Sequence, residues 1–295
     1  MKRTRKTEIK KANAILTGDW HLQDKQPVCR TDDFWNVQWS KLDFISELQK
    51  THNCPVWHSG DLFDHWKPSL ELLSKTIQHI PNQFWTIYGN HDLPQHNLEL
   101  KHKCGIYALE KACKLSVLPC THWGQEVEET QSVLYDNWKN ILIYHVMTYQ
   151  GKKPWPDCPD PKAFTLLRKY PEYDLIVTGH NHKPFTETHE GRLLVNPGSI
   201  FRTTADQQEH KPRVYLWYAD KNYVEPVYLP IQEGVISREH LETKQDRDDR
   251  ISAFVSTLNN DWEVSMSFEE NIEKARKENN INTSIMDIIY KSLEN

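Results

Sequence analysis

Short apolar runs that stop abruptly at a polar, often glycine-marked cluster constrain this chain more than any other feature. Ala14 to Thr17 runs into Gly18-Asp19-Trp20-His21, Pro55 to His58 into Ser59-Gly60-Asp61, and Phe84 to Tyr88 into Gly89-Asn90. Ile141 to Tyr144 stops at His145, and Leu175 to Thr178 at Gly179-His180-Asn181-His182. The runs are short and rich in β-branched and aromatic residues, as strands buried on both faces are. Glycine lets the backbone turn sharply where a strand ends. Seven oxygen or imidazole donors (Asp19, His21, Asp61, Asn90, His145, His180 and His182) are therefore expected to converge on one rim.

Two further runs, Leu193 to Val195 and Val214 to Tyr218, read as strands. Between the early runs lie helical patterns. Phe34, Val37, Leu42, Ile45 and Leu48 recur at near-helical spacing behind Thr31-Asp32-Asp33, a capping sequence, and Leu70, Leu73, Ile77 and Ile80 do so behind Pro68-Ser69. This alternation predicts an α/β layered sandwich. A chain of 295 residues can bury a sizeable core, and one large domain with an appendage is expected.

The pattern changes near residue 230. From residue 233 onward 14 acids face eight Lys/Arg, and Ile272, Ala275, Ile285, Ile288 and Ile289 form an interrupted apolar stripe. Residues 231–295 thus read as an acidic, helical extension behind a domain over 1–230. Its stripe either packs on the chain's own body or docks a partner. The basic opening, six Lys/Arg against Glu8 within the first 11 residues, is either a nucleic-acid contact or a solvated terminus. The six cysteines lack C-x-x-C spacing, which fits reduced thiols, and no apolar run approaches the roughly 20 residues needed to cross a bilayer. A soluble cytoplasmic protein, without membrane attachment, is expected.

Two carboxylates, one amide and four imidazoles without a thiolate make a mixed oxygen and nitrogen donor set, enough for two ions of manganese, iron or zinc. The order of the donors is more specific than any one of them. Asp19-Trp20-His21, Gly60-Asp61-Leu62-Phe63-Asp64, Gly89-Asn90-His91-Asp92, His145 and Gly179-His180-Asn181-His182 together resemble the signature of the calcineurin-like metallophosphoesterase superfamily, over roughly residues 12 to 220. The resemblance implies a four-layer sandwich of two mixed β-sheets flanked by helices. It implies that Asp19, His21 and His182 hold one divalent metal, that Asn90, His145 and His180 hold the other, and that Asp61 bridges them. Manganese is the first choice, with iron and zinc as alternatives. Such a pair clamps phosphate oxygens and supplies a bridging hydroxide near neutral pH.

His91, next to Asn90, is the candidate for contacting the phosphate and protonating the leaving oxygen. Asp92 would then accept the other imidazole N–H of His91, or else cap the turn before Pro94; Asp64 would orient a ligand histidine, or cap the helix near Pro68. The proline-rich loop 147 to 161 offers Tyr149, Lys152, Lys153 and Trp155 to phosphates and bases, or is simply a stiff connector. Arg202, behind Asn196-Pro-Gly-Ser, is either a phosphate contact or half of a surface salt bridge. Trp20 should turn away from the metals by strand alternation. Trp57 and Trp85 read as core and His58 as a hydrogen-bonded core residue, while His65 falls where substrate contact is open to it.

Within the superfamily the Pro-Gly-Ser turn is similar to the SbcD-type DNA-repair nucleases in a short form, and also to small phosphodiesterases. The expected function is therefore an SbcD-like DNA nuclease, with endonuclease and exonuclease action both open. Alternatives are a cyclic-nucleotide phosphodiesterase, a protein phosphatase, or an inactive binding module. An SbcC-like ATPase at the C-terminal helix and a homodimer are compatible partners.

Overall fold

The computed structural model describes residues 10–128, 132–136, 139–241, 243, 247–252, 272–274, 276–277 and 281–286. In chain order its elements are β1 (Ala14–Thr17), α1 (Phe34–His52), β2 (Val56–His58), α2 (Leu70–His79), β3 (Phe84–Thr86), α3 (Gly105–Lys111) and β4 (Ser116–Val117). There follow β5 (Val133–Tyr135), β6 (Lys139–Tyr144), α4 (Ala163–Lys169), β7 (Leu175–Thr178), β8 (Phe185–His189), β9 (Arg192–Asn196), β10 (Arg213–Tyr218) and β11 (Tyr223–Tyr228). Both anticipated helix starts are capped as their sequences suggest: the Asp33 side chain accepts from the Asn36 N–H, and Ser69 Oγ accepts from the Leu72 N–H.

One sheet has the order β11-β10-β1-β2-β3-β4 and the other β5-β6-β7-β9-β8. Both are mixed. β1 to β4 run parallel while β10 and β11 are antiparallel, and β6, β7 and β9 run parallel between antiparallel β5 and β8. Strand alternation sorts the side chains into layers. Leu16, Trp57 and Trp217 from the first sheet meet Ile141, Ile143, Val177 and Val195 from the second. On the opposite faces, Ile15, Val56, Phe84 and Leu216 pack with α1 to α3 residues such as Phe34, Leu42 and Ile106, and Leu142, Ile176 and Leu194 pack under α4. The four-layer sandwich of two mixed sheets is thus present.

The seven strands legible in the sequence are the interior ones. β4, β5, β8 and β11 escape that reading, and they are the four sheet edges. An edge strand is covered less completely and so carries polar residues; β11 even places Pro226 in its middle. The α2 stripe needs a correction: Leu70, directly after the Ser69 cap, is 84% exposed and Leu72 is buried instead. Trp57 is core as anticipated, whereas Trp85 is only half-buried, stacked on it with ring centroids 6.4 Å apart.

The chain divides into two compact units, Met1–Ile236 and Ser237–Asn295. In the second, the described residues are largely helical, and Ile272 and Met286 are buried. Ala275, Ile288 and Ile289 of the stripe lie outside the described residues, as does most of the basic opening. Of that opening, Lys10 binds Asp220 and Tyr223, and Lys11 donates to the Thr51 carbonyl. All six cysteines are free thiols. Among the described residues no helix is long and apolar enough to cross a membrane.

Candidate metal centre

The carboxyl ends of β1, β2, β3, β6 and β7 deliver the seven donors to one place. The turns after β1 and β2 zip together through Asp19 N–H to Gly60 O and His21 N–H to Asp61 O, both 3.0 Å. Four of the donors themselves occupy the left-handed region, with φ of 49° at Asp19, 46° at His21, 57° at Asp61 and 72° at His180. Such backbone costs about 1–2 kcal/mol for an ordinary residue and collects at functional sites. The glycines were expected to supply the sharp turns, and Gly60, with φ of 98°, does. Gly89 serves differently: its φ is ordinary, but a Cβ there would collide with the Asp61 carboxylate.

Asp19, His21 and His182 form one group whose donor atoms lie within 4.8 Å of one another. His21 Nε2 and His182 Nε2 are 3.1 Å apart. Asp19 Oδ1 accepts the His180 N–H at 2.9 Å, leaving Oδ2 buried without a partner. An orphaned buried carboxylate oxygen is costly unless a cation meets it. Asp61, His145 and His180 form the second group. His145 Nδ1 donates to the Ser59 carbonyl at 2.7 Å, which turns Nε2 toward Asn90 Oδ1 at 3.1 Å and Asp61 Oδ2 at 3.3 Å. Asn90 Oδ1 is also 2.9 Å from His180 Nδ1. Asp61 Oδ2 lies 3.6 Å from His21 Nε2, so this one oxygen faces both groups.

The innermost donors, His21, Asp61 and His145, shift toward their charged forms. Burial lowers the His145 imidazole, yet the Asp61 carboxylate reverses this and lifts it to about 9. Burial likewise acts downward on His21 and is outweighed by Asp64 and Asp61. Asp61 is buried, which opposes ionisation, and still falls below the carboxylate range beside His145 and His21. The buried heart of the pocket therefore favours positive charge, whereas burial lowers the half-buried His180 and His182. With the orphaned Asp19 oxygen and the oxygen and nitrogen donor set, it fits two divalent cations, Asp61 standing between them.

Three neighbours shape these donors. Asp64 Oδ1 is 3.5 Å from His21 Nδ1. The Asp64 carbonyl accepts from His91 Nδ1 at 2.7 Å, which fixes the tautomer that leaves the lone pair of neutral His91 on Nε2. His91, half-buried at the mouth, sits edge-on to His21 with ring centroids 4.6 Å apart. The expected pairing of Asp92 with His91 does not occur. Asp92 is 1% exposed and accepts the N–H groups of Asp61 (2.8 Å), Leu62 (3.3 Å), Phe63 (3.2 Å) and Gly89 (3.0 Å). It clamps the β2 turn to the β3 turn. Burial and the neighbouring Asp61 carboxylate push the Asp92 carboxyl upward, against the N–H groups of Gly89 and Phe63.

Trp123 has no motif to announce it: it lies in a loop, stacked on His180 at 4.9 Å and edge-on to His145 at 5.9 Å. Also unanticipated is a cavity of about 450 Å³ beside Asp64, bordered by Leu22, Lys25, His65, Lys67 and Leu72. His65 is thus exposed at its edge, where the sequence left substrate contact open. Trp20 turns inward, fully buried, and donates to Thr17 Oγ1 at 2.8 Å. His58 is a buried core residue 2.9 Å from Thr86 Oγ1, and burial lowers it to about 3.

Of the substrate candidates, Lys152, Lys153 and Trp155 are exposed, whereas Tyr149 is buried. Asn181, between His180 and His182, donates to the Thr148 carbonyl at 2.7 Å, rooting the loop beside the site. Arg202 is not part of a surface ion pair. It is 3% exposed and donates to the carbonyls of Gln208 (3.3 Å) and Gln232 (2.6 Å).

The fold and this donor cluster define a metal-dependent phosphoesterase. Residues 13–217 match the calcineurin-like phosphoesterase superfamily domain, and the chain belongs to that superfamily. Two curated relatives are both described as DNA double-strand break repair protein Mre11. The one from Methanosarcina mazei is 26% identical over 236 residues, and the one from Methanosarcina acetivorans 27% over 231 residues. Each alignment covers 68% of this chain and 35% of the relative, so the chain spans about a third of the length of the curated relatives it matches. Among solved structures, a novel archaeal phosphodiesterase is 17% identical, covering 73% of this chain and 99% of that one, with a TM-score of 0.44. A metallophosphoesterase from Sphaerobacter thermophilus is 13% identical, covering 74% and 89%, with a TM-score of 0.38.

Proposed function

We propose that this chain hydrolyses phosphodiesters of DNA, as a nuclease of the SbcD and Mre11 kind. The observation that carries the reading is the bridging position of Asp61 Oδ2, 3.3 Å from His145 Nε2 and 3.6 Å from His21 Nε2, between two donor groups. Asp19, His21 and His182 would hold one cation, Asn90, His145 and His180 the other, with manganese the first choice. Two divalent cations there would neutralise phosphate oxygens and acidify a water toward neutrality. The protein's own groups do the rest. His91, oriented by the Asp64 carbonyl, acts as the imidazolium: Nδ1–H stays on that carbonyl while Nε2–H contacts the phosphate and passes its proton to the departing oxygen, leaving the neutral ring with its lone pair on Nε2. Asp64 steadies His21, and Ser59 O fixes the tautomer of His145.

The names of the two curated relatives favour DNA as the substrate. The cavity beside Asp64, with Lys25 and Lys67 on its border, offers space for a nucleoside next to the scissile phosphate. Lys152, Lys153 and Trp155 supply charge and a stacking face on the loop rooted at Asn181. An SbcC-like ATPase docking on the C-terminal unit belongs to the same reading, and deletion of residues 265–295 would abolish that assembly while sparing catalysis.

The deciding experiment strips the full chain of metal, restores manganese, and compares bis-p-nitrophenyl phosphate, a phosphomonoester, a cyclic nucleotide, single-stranded DNA and duplex DNA. Cleavage of the diester and of DNA is expected. Asp61→Ala should abolish it, and His91→Ala should lower kcat by roughly 10²–10⁴-fold, the usual worth of a general acid, with metal still bound. Preference for the cyclic nucleotide or the monoester over DNA would reject the nuclease assignment, and full activity in His91→Ala would reject the acid.

A further inference from the structure

Around the first half of α1 the chain gathers an unusual set of buried cations. Arg30, Lys41 and Arg202 are 7%, 3% and 3% exposed, and all three line one cavity of about 260 Å³. Asp32, Val37 and Ile231 are among the other residues bordering it. Arg30 is answered by a fork to Asp32, Nε to Oδ1 at 2.7 Å and Nη2 to Oδ2 at 2.5 Å, and its Nη1 donates to the Arg202 carbonyl at 3.1 Å. The other two have no such answer. Lys41 Nζ donates to the Ile200 carbonyl at 2.6 Å and lies 5.3 Å from the Phe201 ring centroid, while Arg202 has only the carbonyls of Gln208 and Gln232.

Asp32 is, among the described residues, the single carboxylate bonded to the three. Glu233 borders a neighbouring cavity of about 100 Å³ that shares Arg202 and is felt by that guanidinium, but it is exposed to water. Three basic groups against one buried carboxylate leave two positive charges when Lys41 is protonated, the form a bound anion would favour. Burying a charge without a counter-ion costs several kcal/mol. Burial, then Arg30 and Arg202, pull the Lys41 ammonium down to about 7, the response expected where positive charges crowd a dry site without enough anion.

We propose that this cavity is an anion site, distinct from the metal centre, that takes a dianionic phosphoryl group. Two uncompensated charges match a phosphate dianion or a phosphate monoester. Guanidinium groups suit phosphate oxygens by their fork geometry, and lysine supplies a point charge. The volume far exceeds the roughly 10–15 Å³ one water requires and approaches the lower end, about 300 Å³, of small-ligand pockets. Ser40, Ile231 and Gln232 on the rim are exposed, so the cavity opens to solvent. The proposal stands on residues outside the donor cluster and holds whether or not DNA is the substrate.

The test is equilibrium dialysis of the manganese-loaded full chain against radiolabelled orthophosphate. Asp61→Asn, which disables the metal centre, should retain one bound phosphate. Adding Lys41→Met or Arg202→Gln to that variant should weaken it at least tenfold, while Lys41→Arg, which keeps the charge, should preserve it. In the otherwise unaltered chain, Lys41→Met should leave cleavage of bis-p-nitrophenyl phosphate within about twofold. Competition separates the sources of the group: displacement by deoxyadenosine monophosphate as well as by phosphate identifies a nucleotide monoester, and displacement by phosphate alone identifies the free ion. Loss of all phosphate binding in Asp61→Asn would overturn the proposal. So would equal binding by the Lys41→Met, Lys41→Arg and Lys41-containing chains, or equal displacement by acetate at matched ionic strength.

Discussion

Replacing Asp92 separates the role the structure gives it from the role its position beside His91 suggests. Its Oδ2 accepts from Asp61, Leu62 and Gly89, and its Oδ1 from Phe63. A buried N–H left without an acceptor costs about 1–3 kcal/mol. Asp92→Ala strips four, and with local relaxation the loss should be about 3–5 kcal/mol, the range for removing one partner of a buried charged network. Asp92→Asn can keep an oxygen where Oδ2 stands and lose only the Phe63 bond, so it should cost about 1–3 kcal/mol. Urea unfolding of the metal-free chain, followed by tryptophan fluorescence, reads both. Manganese affinity should fall in the same order, because the clamp sets Asp61 and the Gly89-Asn90 turn. A loss below about 1 kcal/mol in Asp92→Ala would refute the clamp. If Asp92→Asn instead kept full stability and moved the acid limb of the pH–rate profile, Asp92 would be acting on His91 after all.

Asp64→Asn should weaken manganese binding by about 10–100-fold, the usual effect of losing a carboxylate behind a ligand histidine, with kcat at saturating metal nearly unchanged; a manganese titration of activity checks it, and an unaltered midpoint refutes it. Gly89→Ala should both destabilise the fold and weaken metal binding at the bridging position, since the new Cβ would meet the Asp61 carboxylate and, at 2.5 Å, the Asp61 backbone nitrogen; parental urea stability together with parental metal stoichiometry and affinity by calorimetric titration would contradict this. In phosphate-free buffer the Lys41 ammonium sits at about 7 in the folded chain against an ordinary 10.5. Below about 7 both states are protonated and the destabilisation is complete. Between the two values only the unfolded chain holds the proton, so stability should rise with pH by at most about 1.4 kcal/mol per unit. Lys41→Met should lack that rise between pH 7 and 9, and identical urea midpoints in the two chains at both pH values would refute it.

How far the site could be read from the chain depended on the kind of contact involved. The donors were legible because each lies within four residues of the end of an apolar run, and a strand end fixes roughly where the next few side chains go. Asp64 was legible from the Gly-Asp-x-x-Asp pattern, which left open whether it orients a histidine or caps a helix; it lies 3.5 Å from His21 Nδ1. Asp92 misled because adjacency to His91 suggested a side-chain pair, whereas the tight turn points the carboxylate at backbone N–H groups from another strand. Trp123 and the Ser59 carbonyl act across loops that no spacing rule connects.

The sequence by itself determined the interior strands, the two capped helices and the ordered donor set, since those follow from local burial and from the period of strand and helix. The tertiary structure alone decided the four edge strands, whose half-covered residues carry no strong pattern. It alone decided the left-handed backbone at Asp19, His21, Asp61 and His180, which only converging turns enforce. It also decided the meeting of Arg30, Lys41 and Arg202: an arginine ahead of α1, a lysine within it and an arginine about 160 residues further on become one charged cavity only when packing excludes water between them.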